Sequence, residues 1–312
     1  MNLETYNLFH HFESQGILRP HQGILISLSG GPDSVYLYHF LKQVQQRMPL
    51  RLVVAHFNHG LRPEAGEEAD FCRRLAGAGG DEFILFEREE AFSGNLQEEA
   101  RNWRKQNLFQ CKQEHKLDLI ALGHHQDDLS ETILFRLLRG ASLFSLQPMK
   151  EWDPPIFRPL LSLQKNKILT ILEEEGLEYK IDPSNLRSDY QRNRIRKSLI
   201  PLMEELAQGN LHDKLTHLAL EAGQLKEAFE QAVPEALYQA DHLKYIDLQP
   251  LTPLYSQEVI HRWLRHQGVV EIHQSQILQI DGLIRSNQGG WQIHLKPYNI
   301  AAKNKLVRLT KN

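Results

Sequence analysis

The chain has 312 residues, of which 41% are hydrophobic; that is about two domains' worth of length with enough apolar material for a sizeable core, which excludes disorder as its main state. No apolar run approaches the roughly 20 residues a bilayer span needs, and the opening MNLETYNLFHHFESQG has neither the basic start nor the apolar stretch of a signal peptide. A soluble, cytoplasmic protein without a membrane partner is expected. Lysine and arginine number 36 against 39 aspartates and glutamates, a net charge of −3, so any polyanion has to be held by a local basic patch. Two cysteines, Cys72 and Cys111, cannot furnish an iron–sulfur cluster or a four-cysteine zinc site.

From residue 23 to about 123, short β-rich runs alternate with longer helical patterns. Strands are expected at 23–28, 51–57, 81–86 and 117–122, and helices at 34–47, 64–78, 95–115 and 127–138. The alternation predicts an α/β fold, a doubly wound parallel sheet whose strands present their carboxyl ends along one edge, where such sheets bind ligands. A Pro-containing stretch at 147–161 and a helix at 164–175 follow. Beyond them Leu211, Leu215, Leu218, Ala222, Leu225 and Phe229 keep helical spacing. Shorter helices are expected at 256–266 and 274–285, and the runs WQIHL and KLVRL read as a small strand cluster. The expected division is a catalytic domain over 1–204 and a mainly helical domain with that strand cluster over 205–312.

The sharpest local signal is Ser29-Gly30-Gly31-Pro32-Asp33-Ser34, set between the apolar run ILISL and an amphipathic helix. Two glycines allow a tight turn, a helix N-terminus offers unpaired N–H groups, and two hydroxyls add donors, so phosphate is the natural ligand. Asp33 would repel phosphate unless a cation bridges them, which points to Mg²⁺. The plain alternative is a strand-to-helix turn with a Ser or Asp cap. Neither GxxxxGK[ST] nor GxGxxG is present.

Three further groups fall at the same sheet edge or beyond it. His56, His59 and Arg62 follow the second strand, where they read either as nucleotide contacts or as a polar loop. His124 and His125 precede Asp127, Asp128 and Glu131; Asp128 and Glu131 share a helix face, as a Mg²⁺ and base site or as an acidic helix N-terminus. With no cysteine in the set, Mg²⁺ suits it better than zinc. Arg187, Arg192, Arg194, Arg196 and Lys197 crowd one segment with Tyr190 and Asn193 between them, a nucleic-acid contact or a solvated helix face.

SGGPDS after the first strand resembles the SGGxDS loop of the N-type ATP pyrophosphatases. Four further stretches resemble the tRNA(Ile)-lysidine synthetases within that superfamily. They are AHFNHGLR from Ala55, EEARNWR from Glu98, HHQDDLSET from His124, and DPSN from Asp182 leading to YQRNRIR from Tyr190. The matches run in order over about residues 23–201, in what looks like the short, two-domain form of the family.

The resemblance implies ligation of L-lysine to C2 of the wobble cytidine of the CAU anticodon of tRNA(Ile), through an adenylated intermediate, with release of AMP and pyrophosphate. It implies ATP and Mg²⁺ as cofactors and a monomer or homodimer. Carried over residue by residue, Ser29, Gly30, Gly31, Pro32, Asp33, Ser34, His56 and Arg62 bind the nucleotide, and Asp33 and Asp128 share the metal. Asp33, Asp128, Glu131, Arg101 and Arg104 serve catalysis, with Asp128 and Glu131 on the lysine amine. Arg187, Tyr190, Arg192, Asn193, Arg196 and Lys197 contact tRNA, and the C-terminal domain positions it. Leu129 stands where the family usually has Gln, Lys105 where it usually has an aromatic, and the loop at 139–149 lacks later glycines common in the family. Two other readings stay open. One is a related tRNA cytidine thiolase, which would need CxxC pairs; the other is a non-catalytic tRNA- or ATP-binding homologue.

Overall fold

The protein is described from a computed structural model, which covers residues 1–58, 65–88, 96–181 and 191–311. These divide into two compact units, one of Met1–Phe135 with Met149–Thr216, the other of Arg136–Pro148 with His217–Asn312.

The first unit is built on a six-stranded sheet of β1 (Gly23–Ser27), β2 (Arg51–Asn58), β3 (Glu82–Glu87), β4 (Leu119–Ala121), β5 (Trp152–Asp153) and β6 (Ile156–Phe157). Their order is β3-β2-β1-β4-β6-β5. All pairings are parallel except the edge pair β5–β6. The helices are α1 (Leu3–Ser14), α2 (Pro32–Gln45), α3 (Ala65–Ala78), α4 (Leu96–Glu114), α5 (Gln126–Leu138), α6 (Lys165–Glu174), α7 (Gln191–Arg194) and α8 (Ile200–Leu206). Alternation along β1 explains why its run is apolar throughout. Ile24 and Ile26 enter the core with Val35, Leu37 and Phe40, while Leu25 joins Val53, Ala55, Leu108 and Ile120. The doubly wound sheet read from the sequence is thus present, with an antiparallel edge added. That edge comes from the Pro-containing stretch, where two-residue strands are too short to show any period.

In the second unit α9 (Leu211–Ala232), which begins in the first, is followed by α10 (Ala236–Gln239), β7 (His242–Lys244), α11 (Tyr245–Leu248), α12 (Pro253–His266) and α13 (Gln274–Arg285). The strands β8 (Gln292–Leu295), β9 (Tyr298–Lys303) and β10 (Leu306–Lys311) then join β7 in an antiparallel sheet ordered β7-β10-β9-β8. Its core gathers Phe229, Val259, Ile260, Trp263, Ile280 and Val307. Phe144, from the 136–148 stretch, is buried in that same core. No helix among the described residues is long and apolar enough to cross a membrane.

Candidate active site

Strand order reverses between β1 and β4, so the segments leaving these two strands face each other across the crevice where open α/β sheets take ligands. A cleft of about 820 Å³ opens there. Gly30 adopts φ +85°, a left-handed conformation that glycine takes without strain. Its carbonyl is held by the Lys180 N–H at 2.9 Å. The Ser29 and Ser34 hydroxyls lie 3.1 Å apart, and Ser34 Oγ donates to the Gly31 carbonyl at 2.9 Å. Gly31 caps α2 without a side-chain bond and Pro32 stands in its first turn. The first-turn amides of Asp33 and Ser34 therefore have no intrahelical acceptor, the geometry that receives phosphate.

Opposite this loop, α5 begins with Gln126, Asp127 and Asp128. The His125 ring sits between the two segments, its Nε2 3.6 Å from Asp33 Oδ2 and 3.4 Å from Asp128 Oδ2, its Nδ1 3.5 Å from Asp127 Oδ2. Burial opposes charge on this imidazole, but the surrounding carboxylates prevail and push its pKa up to about 10. Asp127, whose burial works the other way, is pulled down to about 2 by His125 and by the Lys165 N–H that it accepts at 3.0 Å. Lys165 Nζ bonds the Asp33 carboxylate directly. Against its own burial, Asp33 is held below the usual carboxylate range by His125 and Lys165.

Farther along α5, Glu131 is buried and accepts from Arg196 Nε, while Arg196 Nη2 reaches Asp128 Oδ1 at 3.3 Å. Burial raises the Glu131 pKa in spite of that guanidinium. Arg196 belongs to a π-helical turn, Ile195–Leu199, whose Ile195 is buried. Such turns recur at functional sites because they re-aim side chains. Elsewhere in the basic segment, the Arg192 guanidinium lies 5.2 Å from the Phe135 ring centre, Asn193 is half-buried and Lys197 exposed.

His56 lines the cleft from β2 and is buried, its Nδ1 2.8 Å from the Leu28 carbonyl. A carbonyl only accepts, so Nδ1 carries the proton. Burial lowers the pKa of the ring and keeps it neutral. Arg104 lines the cleft; Arg101 is exposed on α4 and is not among the described lining residues. Arg62, Arg187 and Tyr190, with His59 and the stretch from Asp182, lie outside the described residues.

Lys165 and Gly123 are among the residues of the site that escaped the sequence reading. Lys165 stands at the first position of α6, where the helix dipole disfavours a cation, and that mismatch was its only signal. Gly123 follows β4, and a Cβ there would sit 3.0 Å from the Asp33 carbonyl oxygen and 3.2 Å from the Ser34 nitrogen. Only glycine lets the two segments approach this closely, and no local pattern announces it. His124 is the other imidazole of the pair. Burial lowers its pKa to about 4, and its Nδ1 has no hydrogen-bond partner.

No group of three or more His, Cys, Asp or Glu among the described residues is arranged as a metal cage. Mg²⁺ does not require one, since it takes one or two carboxylates together with substrate phosphates and water. Asp33 and Asp128 converge on a single nitrogen of His125 beside the phosphate-binding loop, and this oxygen donor set fits a hard dication. Cys72 and Cys111 are both buried, which pushes their thiols up to about 12 and about 11. Neither offers the thiolate that cluster or persulfide chemistry needs.

A family model described as a PP-loop domain matches residues 2–203. A tRNA(Ile)-lysidine synthase from Chlorobaculum tepidum is 29% identical over 93% of this chain and 91% of its own. One from Chlamydia pneumoniae is 33% identical over 70% of this chain and 69% of its own. Among solved structures, the U34-tRNA thiolase NcsA from Methanococcus maripaludis, with its [4Fe-4S] cluster, superposes with a TM-score of 0.58 at 19% identity, covering 72% of this chain and 79% of that one. This last likeness is one of fold.

Proposed function

The chain belongs to the PP-loop domain family and, within it, to the tRNA(Ile)-lysidine synthases, and from that premise we propose how its cleft carries the reaction. The enzyme ligates L-lysine to C2 of the wobble cytidine in the CAU anticodon of tRNA(Ile). The C2 oxygen of cytosine is a poor leaving group. In the first step that oxygen attacks the α-phosphorus of ATP and pyrophosphate departs. In the second the lysine ε-amine attacks C2 and AMP leaves with the oxygen. The amine loses a proton on the way, and an ammonium of pKa about 10.4 needs a base to take it.

The observation that carries this assignment is the convergence of Asp33, Asp127 and Asp128 on His125, beside the SGGPDS loop and the Glu131–Arg196 pair. Ser29, Gly30, Gly31 and Ser34 receive the departing pyrophosphate through backbone N–H groups and hydroxyls, with Pro32 setting the helix start. Asp33 and Asp128 hold Mg²⁺, which when bound offsets the charge of the phosphates. Lys165 keeps Asp33 ionised and in place. Glu131 and Asp128 form the lysine site: a guanidinium already rests on this carboxylate pair, so the pair is built to hold a cation. A buried carboxyl of raised pKa is also a better acceptor for the ammonium proton. Arg196 is released toward phosphate when the ammonium arrives, joined by Arg104, Arg101 and Arg192 in balancing charge on ATP and tRNA. Arg62, Arg187, Tyr190, Asn193 and Lys197 complete the nucleotide and tRNA contacts, and the second unit positions the tRNA. The setting is the cytoplasm, and the working form is a monomer or homodimer.

The test is product analysis with ATP, Mg²⁺, lysine and CAU-anticodon tRNA. AMP and pyrophosphate are expected, and Asp33→Asn abolishes their release while leaving the melting temperature close to wild type. ADP and orthophosphate as products, or full activity in Asp33→Asn, would refute the assignment.

A further inference from the structure

His212, in the first turn of α9, is buried and yet lines the cleft, and it takes no part in the steps proposed above. Both of its ring nitrogens are engaged. Nδ1 lies 2.8 Å from the Ser130 hydroxyl of α5, and Nε2 lies 3.1 Å from Glu204 Oε1 of α8 and 3.9 Å from Asp127 Oδ1 of α5. A carboxylate only accepts, so Nε2 carries a proton. The start of α9 is itself fixed, because Asn210 Oδ1 accepts from the His212 and Asp213 N–H groups at 3.0 and 3.4 Å. Asp213 in turn accepts from Gln126 Nε2 at 2.8 Å. All of these residues belong to the first unit.

These contacts fall on the part of α5 that carries the carboxylates. Gln126 and Ser130 stand four residues apart and so share one face of the helix, while Glu131 lies about 100° round from Ser130. Ser130 is 0% exposed, and its hydroxyl also bonds the Gln126 carbonyl at 3.2 Å. A helix gripped at one point can still rotate about its axis and swing its neighbouring side chains with it. Gripped at Gln126 by Asp213 and one turn later at Ser130 by His212, α5 cannot rotate or slide without breaking both bonds. Asp128 and Glu131 therefore keep their aim into the cleft, and an aim held in this way is what a reacting group requires.

We propose that His212 is a positioning residue for lysine transfer, acting through Ser130 to hold the Glu131 carboxylate where the amine arrives. The proposal rests on the reading of Glu131 given above.

The test uses the full chain with CAU-anticodon tRNA(Ile) and follows the two half-reactions separately in single turnover. His212→Ala is expected to slow lysidine formation from adenylated tRNA and to raise the KM for lysine, each on the order of tenfold, while the KM for ATP stays at wild type. An Asn side chain places an amide atom where Nδ1 stands, and Gln places one where Nε2 stands. Since the Ser130 contact carries the effect, His212→Asn restores lysine transfer and His212→Gln does not. Ser130→Ala removes one buried atom and reproduces the defect, and combining it with His212→Ala adds little, as the two halves of one contact behave. Should His212→Ala fail to fold, the Asn, Gln and Ser130→Ala proteins decide the question. Equal activity of the Asn and Gln variants, with melting temperature and every kinetic constant depressed together, would overturn the proposal and leave His212 a packing residue. So would wild-type lysine transfer in His212→Ala, or full additivity with Ser130→Ala. Glu131→Gln is scored in the same series, and wild-type transfer there would refute the reading of Glu131 while leaving the comparison of the His212 and Ser130 variants standing.

Discussion

His56 and Lys165 show how single side chains hold the nucleotide loop. The neutral His56 ring props the Leu28 carbonyl at the end of β1, and burial keeps its folded pKa below the unfolded value near 6.5. With the folded pKa depressed, the stability this group contributes is fully present above about 6.5 and is lost as pH falls through the folded pKa. His56→Asn can still donate to that carbonyl but does not titrate. Its melting temperature is expected to fall less steeply than that of the wild type between pH 7 and pH 5, and parallel slopes would show that the imidazole is not held neutral. Lys165 neutralises Asp33 from another element. Lys165→Gln is expected to cut AMP release by about tenfold or more with little change in melting temperature, since the side chain is part-exposed. Lys165→Arg should retain more activity than Gln. Equal turnover in all three proteins would remove Lys165 from the site. Of these two residues only His56 was legible in the sequence, because it follows a strand at the ligand edge. Lys165 reaches Asp33 across a long sequence separation, which no local pattern encodes, and the same holds for the close approach at Gly123.

At the scale of elements, the loop at 139–149, which lacks later glycines common in the family, has a packing role. In the structure Leu143–Ser145 form a 3₁₀ turn that buries Phe144 in the core of the second unit. Phe144→Ala is expected to destabilise that unit by about 3–5 kcal/mol, measured by denaturant unfolding, and a loss under about 1 kcal/mol would show that the anchor is unimportant. The strands and helices of the parallel sheet were legible because each repeats its period over a full turn or several alternations. The β5–β6 edge pair was not, since two residues carry no period. Nor was the π-helical turn at Ile195–Leu199, which carries Arg196 to the Glu131 and Asp128 carboxylates. From sequence the whole basic segment reads as one patch.

Taken whole, the described residues bring four carboxylates, Asp33, Asp127, Asp128 and Glu131, together with His125, Lys165 and Arg196 in one cleft of the first unit. In the proposed reaction this cleft performs two chemically distinct steps, and the Asp128–Glu131 pair serves the second. The direct measurement is a single-turnover experiment with labelled ATP, following adenylated tRNA and lysidine in the same samples for wild type and Glu131→Gln. The variant loses a charge that attracts the ammonium and the base that takes its proton, whereas adenylation involves no amine. Glu131→Gln is therefore expected to accumulate adenylated tRNA at close to the wild-type rate and to form lysidine about 10²-fold more slowly. Lysidine formed at the wild-type rate with an unchanged dependence on lysine concentration would contradict the assignment of Glu131 to the lysine amine.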